Sequence, residues 1–253
     1  SPDAGMVPVS DGKVRLRNVA GLKTAEVVAV PPFLIDRTEV SNREFARFVL
    51  AGGYVKPEYW KHPFRDGDKP LSFEAAMQRF RDATGRNGPA NWKLGSPPPG
   101  EEEMPVRGIS WHEASAYAAF AGKELPGLYH WFWADNANDM VGFLPSVMQP
   151  LSNFESTGPR KVGEGKAMSA FGATNMAGNV REWIANTNDK GQHLTLGGAW
   201  AEPSYSYLRP VPHSAFDRPL DTGVRCMKRI GNEPIPDAAL NAIPTLPAET
   251  AIS

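Results

Sequence analysis

The chain has 253 residues, with 27 Lys and Arg against 28 Asp and Glu and a net charge of −1, which excludes a global field able to recruit nucleic acid or an anionic membrane. Apolar residues make up 41% and charged ones 22%; that composition excludes disorder, and no run approaches the roughly eighteen consecutive apolar residues of a membrane-crossing helix. One cysteine, Cys226, excludes an intrachain disulfide and any site built from several thiolates.

A chain of this size can bury roughly three quarters of the surface its unfolded form exposes, enough for one self-sufficient core. One domain over residues 1–232 is therefore expected, followed by a proline-rich extension over 233–253 that wraps the domain or is loosely held. The first residues show no charged segment followed by an apolar one, but a removed leader or an upstream anchor leaves the same record, so export stays open. The 24 Gly and 24 Pro predict many turns between short elements.

Phe33 to Val40 reads as a strand. Ser41 then starts a helix: its hydroxyl can cap, Glu44 can reach back to the cap amide, and Val40 can staple against Phe45. Phe45, Phe48 and Val49 form an i, i+3, i+4 stripe, and Gly52-Gly53 ends the helix. Ser72 to Phe80 reads as a shorter helix. Thr84 to Trp92 and Ser96-Pro-Pro-Pro-Gly-Glu-Glu-Glu103 read as surface loop within the same domain. Ser110-Trp-His-Glu113 repeats the capping device, and Trp111, Ala114, Ala118 and Ala121 give the next helix a small-residue face that predicts close packing, up to Gly122. From Leu125 onward helix signals fade and turn residues dominate.

Three pieces then follow in order: Phe171-Gly-Ala-Thr-Asn-Met-Ala-Gly-Asn-Val-Arg-Glu-Trp183, Leu196-Gly-Gly-Ala-Trp200 and Thr222-Gly-Val-Arg-Cys226. On its residues alone the first is an Asn/Gly turn leading into a strand with Trp183 buried. With Gly5-Met-Val7, Ile35-Asp-Arg-Thr-Glu-Val-Ser-Asn-Arg-Glu-Phe45 and Pro105-Val-Arg-Gly-Ile-Ser-Trp-His-Glu-Ala114, the ordered set resembles the formylglycine-generating enzyme (FGE, sulfatase-modifying factor) family across most of the chain. The resemblance implies an α+β fold, the FGE-sulfatase variant of the C-type lectin fold, low in regular secondary structure. Ala51-Gly-Gly-Tyr54, Glu58-Tyr-Trp60, Leu125-Pro-Gly-Leu-Tyr-His-Trp131 and Ala215-Phe-Asp-Arg-Pro219 are similar to the branch found with bacterial Ser/Thr protein kinases. Such domains are fused to a kinase or stand alone in the periplasm as its regulators, as in type VI secretion clusters.

Active members of the family hold copper between two cysteines, placed five and ten residues after the first Gly of Gly-Gly-Ser-Tyr. Counted from Gly197, those places hold Glu202 and Tyr207 here. A thiolate pair selects a soft cuprous ion, which a carboxylate with a phenol does not. No formylglycine synthesis is therefore expected, and neither copper nor iron. Glu202 reads as a solvated loop carboxylate or as a ligand contact. The histidines, His62, His112, His130, His193 and His213, fall in no metal spacing such as H-E-x-x-H. His112 reads as a helix-surface residue, and His130, between aromatics, as a core one.

By the same resemblance, Asn175, the carbonyls of Gly178 and Val180, and the carboxylate of Glu182 would hold a structural Ca²⁺, an ion that takes roughly six to eight oxygen ligands on a turning backbone. A second family site would begin near Asn153-Phe154, but the loop after it is shortened. The segment Ala199 to Asp217 corresponds to the ligand-presenting surface of lectin-like folds. Glu202, Tyr205, Tyr207 and Arg209 are its candidates for contact with a ligand or partner, since Tyr and Arg supply large, low-entropy contacts. Tyr205 and Tyr207 would share a face if that stretch is extended, and Trp200 and Phe216 read as core.

The expected role is a non-catalytic, calcium-stabilised binding or sensor module in the periplasm or another extracytoplasmic space. Its expected partner is a protein, such as the sensor region of a Ser/Thr kinase or another envelope protein, with no nucleic acid and no direct membrane insertion. Two other readings stay open: an oxidoreductase of the same fold with non-cysteine site chemistry, of the siderophore-maturation type, and a ligand-display protein of the retroelement-diversified kind.

Overall fold

Capping and apolar spacing set the helices of the first half. In the computed structural model, which describes residues 3–16, 19, 21–23, 27–135, 148–231 and 242–245, helix α1 spans Asn42–Leu50. The Ser41 hydroxyl accepts the Glu44 amide at 3.2 Å and the Glu44 carboxylate accepts the Ser41 amide at 2.8 Å, so two amides that a helix start leaves unpaired are satisfied reciprocally. Phe45 and Phe48 are fully buried, while Val49 stays at the edge of the core. The chain turns away through Gly52 at φ +82°, and a methyl at Gly53 would meet the Phe48 ring at 2.3 Å.

Helix α2 (Phe73–Met77) is capped by Ser72 and is shorter than the sequence suggests. Helix α3 (Trp111–Phe120) carries the second capping box, Ser110 with Glu113. Its Ala114, Ala116 and Ala118 are buried, and Trp111 Nε1 donates to the Ile184 carbonyl at 2.9 Å. Small side chains let the helix approach its neighbours closely, as expected.

Helix α4 (Leu128–Asp135) corrects the expectation that helix signals end near Leu125. Trp133 apart, every residue in it is buried, so it has no polar face and leaves no period to detect. The Leu128 amide donates to Asn186 Oδ1 at 2.6 Å, a cap supplied from a distant strand.

Among the described residues four small sheets complete the fold. Strands β1 (Met6–Val9), β4 (Phe33–Asp36) and β11 (Met227–Arg229) form an antiparallel sheet with Val7 and Met227 both opposite Ile35. The pairs β2 (Gly12–Val14) with β3 (Val28–Val30) and β5 (Phe64–Asp66) with β6 (Lys69–Leu71) form two further antiparallel sheets. In the remaining sheet, β7 (Arg181–Thr187) lies between β10 (Thr222–Gly223), parallel, and β8 (His193–Leu196), antiparallel, which pairs in turn with β9 (Val211–His213).

Strand β7 divides the interior. Successive side chains point to opposite faces: Ile184 joins a core of Val7, Phe33, Ile35, Trp131, Leu196 and Tyr207, whereas Trp183 joins a second, aromatic core of Phe45, Phe48, Trp92, Trp111 and Tyr117. Trp183 is fully buried, as its place in the motif predicts, and its Nε1 donates to the Ile109 carbonyl at 3.0 Å. Residues 242–245 lie along this end of the domain, where the Ile243 amide donates to Thr187 O at 2.8 Å and the Lys23 amide to Pro244 O at 2.7 Å. Among the described residues no helix is long and apolar enough to cross a membrane. The mixed architecture, poor in regular structure, is the α+β fold the resemblance implies.

Candidate functional site

The turn before β7 is wound tightly enough to bury its polar side chains. Asn175 and Asn179 adopt left-handed backbone at φ +56° and +64°, which Asn tolerates better than most residues. A methyl on Gly178 would meet the Asn153 carbonyl at 2.6 Å. Asn179 Nδ2 donates to Glu39 at 2.7 Å and Asn175 Nδ2 to Glu39 at 3.3 Å, while Asn179 Oδ1 accepts Asn153 Nδ2 and the Arg160 amide. Glu39 comes from the chain just after β4, where the expected strand Phe33 to Val40 stops at Asp36 and bends inward.

Glu182, the first inward residue of β7, is already held. Its carboxylate accepts Arg225 Nε at 2.9 and 3.1 Å and Trp131 Nε1 at 2.7 Å, and neither Glu182 nor Arg225 has solvent exposure. Arg225 also donates to the carbonyls of Asp36 and Thr174, so its planar fork is filled. Burial pushes the Glu39 carboxyl up to about 7 against the pull of Arg225. It pushes Asp135 up to about 8, with repulsion from Glu182 adding to it. Among the described residues neither Asp135 oxygen has a hydrogen-bond partner, nor does the buried Asn153 Oδ1.

The structure thus places Asn175, Gly178 and Val180 in one turn and Glu182 directly after it, with its charge met by Arg225. Among the described residues no three His, Cys, Asp or Glu side chains converge as a metal cluster. Glu39 and Arg225 are central here and were not singled out in the sequence. The signal was present, since both lie inside quoted motifs.

The loop after β8 decides the partner candidates. A methyl on Gly197 would meet the Met176 carbonyl at 2.9 Å, and one on Gly198 the Phe154 ring at 2.8 Å. Glu202 lies between the two expected alternatives. It is half-buried and already engaged by the protein itself, since it accepts Arg181 at 2.8 Å, the Ala199 amide at 2.8 Å and the Ser206 hydroxyl at 3.2 Å. Arg181 completes the clamp by donating to the Arg209 carbonyl at 3.1 Å.

Tyr207 is also corrected: it is 2% exposed and packs against Trp131. Ser204–Ser206 is a 3₁₀ turn and not extended chain. At three residues per turn, positions two apart diverge by about a third of a turn, so Tyr205 and Tyr207 face different ways. Tyr205 is 78% exposed, and Arg209 is exposed as well. Phe216 stacks on Phe80 at the margin of the aromatic core, whereas Trp200, expected inside, lies half-buried outside both cores with Arg107 over its ring.

Two histidines fall differently as well. His112 is buried among Phe64, Phe80 and Phe216, with its pKa pulled down to about 3 by burial and by neighbouring His193 and His62. Helix α3 is covered on the side where a surface residue was expected. His130 sits in the core, edge-on to Phe33, as its aromatic neighbours suggest.

Residues 1–230 match the family described as the sulfatase-modifying factor enzyme 1-like domain. The formylglycine-generating enzyme of Thermomonospora curvata is 31% identical over 230 residues, covering 76% of this chain and 74% of that protein. The inactive C-alpha-formylglycine-generating enzyme 2 of Bos taurus is 28% identical over 255 residues, covering 82% and 80%. The serine/threonine-protein kinase Pkn1 of Chlamydia trachomatis is 28% identical over 159 residues, which span 62% of this chain and 23% of the kinase. Among solved structures, CarF has a TM-score of 0.61 at 18% identity over 89% of this chain and 98% of that one, a likeness of fold.

Proposed function

The chain belongs to the sulfatase-modifying factor enzyme 1-like domain family, and from that premise we propose that it is a non-catalytic binding module that regulates a bacterial Ser/Thr kinase pathway from an extracytoplasmic position. One observation carries the non-catalytic half. At the two positions where the resemblance places copper-binding cysteines, Glu202 is bound by Arg181 and two loop groups, and Tyr207 is sealed under Trp131. Both side chains now build the loop, and neither presents a reactive group. The likeness to the inactive bovine protein supports the same half, and the likeness to Pkn1 supports the kinase connection.

Purified protein supplied with Cu(I), dioxygen and a sulfatase peptide is expected to leave the peptide's thiol unchanged; an aldehyde product overturns the non-catalytic reading. For the pathway, the protein immobilised on a resin is expected to retain a Ser/Thr kinase from a cell-envelope fraction, and to lose it with Tyr205→Ala. Retention of no kinase removes that half.

A structural Ca²⁺ on Asn175, the Gly178 and Val180 carbonyls and Glu182 is part of the proposal. The neutral oxygens suit such an ion: Asn175 turns its nitrogen to Glu39 and leaves Oδ1 over Gly165, where a methyl would lie 1.6 Å away. Glu182 suits it only by sharing oxygens with Arg225 and Trp131. The ion would supply positive charge to a buried centre that holds more carboxylates than cations. Chelation is expected to lower the melting temperature, and an unchanged curve removes the ion from the proposal.

A further inference from the structure

The loop that Glu202 and Arg181 clamp borders a concavity of about 610 Å³. Its walls are chiefly apolar, from Leu22, Leu194, Leu208 and Pro210. Two of the partner candidates, Tyr205 and Arg209, line the same space. A volume of this size falls within the range of small-molecule sites, roughly 300–1,000 Å³, and such sites pair an apolar lining with a few placed polar groups.

The polar groups of the lining sort themselves by whether they are already engaged. Asn188 is closed on its own turn, accepting the Lys190 and Gln192 amides and donating to the Gln192 side chain. Thr245 donates its hydroxyl to Asp189, whose carboxylate also takes the Thr245 amide and is not part of the lining. Arg209 is different: its carbonyl is fixed by Arg181, while its guanidinium has no hydrogen-bond or ion-pair partner among the described residues. It is also the only charged residue lining the space among the described residues. A held backbone with a free cation beside an apolar hollow presents one charge at one place, and the planar guanidinium matches a carboxylate with two parallel hydrogen bonds.

We infer that this concavity binds a small apolar molecule carrying one carboxylate, its apolar body against the leucines and prolines, its carboxylate on Arg209, and Tyr205 closing over the mouth. The inference rests on the reading of the chain as a non-catalytic binder and names the class of ligand that binder takes. A small molecule fits better than a peptide because the space is a hollow bounded by four separate chain segments, and because one charge, not a row of backbone-pairing groups, faces it.

Isothermal titration calorimetry at pH 7 with octanoate and with 1-octanol tests it, using the intact protein. Octanoate is expected to bind at least tenfold more tightly than octanol, since a charge-assisted pair is added to the same apolar burial. In Arg209→Gln that preference is expected to vanish while octanol affinity stays, and Tyr205→Ala is expected to weaken both ligands. Arg209 and Tyr205 are exposed, so an unchanged melting temperature will show that each variant folds. Equal affinities in the unaltered protein, or a preference that survives Arg209→Gln, overturn the inference. Binding of neither ligand also overturns it, and leaves the hollow to a protein segment. These outcomes are separate from the copper and kinase assays, so the ligand class can fail while the binding role stands.

Discussion

Arg181 and Glu182 are neighbours on β7, and each forms an Arg–Glu pair, yet the two pairs do different things. Glu182 points inward to Arg225, and both side chains have no exposure. Arg181 points to the other face and meets Glu202, whose side chain is 29% exposed. Buried charges attract strongly only because water is gone, and the same loss of water makes either one costly alone. At the partly wet pair the attraction is screened, and geometry is what remains. Losing one member of the inner pair therefore threatens the fold, whereas the outer pair holds the loop that carries Tyr205 and Arg209.

Removing the inner cation is the strongest way to break this contrast. Arg225→Met leaves Glu182 buried without a counter-charge and is expected to cost about 3–5 kcal/mol, a fall in melting temperature of roughly 6–20 °C for a chain of this size. Adding Glu182→Leu is expected to restore much of it, because a well-packed apolar pair often matches a buried ionic one. A single variant that melts within about 2 °C of the unaltered protein breaks the comparison.

Acidity probes the same centre more gently. Glu39, at about 7, and Asp135, at about 8, lie above their ordinary values of 4.5 and 3.8. Their neutral forms give stability that is complete below those ordinary values and is lost as pH rises through 7 and 8. His112, at about 3, and His130 and His193, at about 4, lie below 6.5, so their contribution is present above that value and is lost as pH falls toward 4 and 3. Melting curves are expected to fall between pH 6.5 and 8, less so for Asp135→Asn. The same fall in that variant places the effect elsewhere.

The outer pair sharpens the comparison from the other side. Arg181→Gln is expected to cost only about 1 kcal/mol, since solvent reaches Glu202. It frees the Arg209 carbonyl, so kinase capture and the octanoate preference are both expected to weaken more than stability does. Smallest of all, Tyr205→Ala should change stability by less than about 0.5 kcal/mol while reducing capture. A stability loss as large as that of Arg225→Met in either variant would erase the distinction between the pairs.

The legible part of the fold was the part written by near neighbours. Ser41 with Glu44 and Ser110 with Glu113 announce helices α1 and α3 because a capping box closes within four residues. Trp183 could be placed in the interior from the motif around it. Helix α4 escaped notice for two linked reasons: an all-buried helix has no polar face to set a period, and its first amide is capped by Asn186, 58 residues away. Within the candidate site, Tyr205 and Arg209 stand exposed as read, whereas Tyr207 does not, because a 3₁₀ turn sends alternate residues to different faces.

By itself, the sequence determined the family, two helix starts and the absence of thiolates at positions 202 and 207, since each of these is a matter of residue type or of spacing along a few residues. Only the tertiary structure decided what Glu202 and Tyr207 became, and that Glu182 finds its counter-charge in Arg225, 43 residues away. The physical reason is that burial, and the strength of a charge pair within it, depend on what packs alongside, and chain order alone does not supply those neighbours.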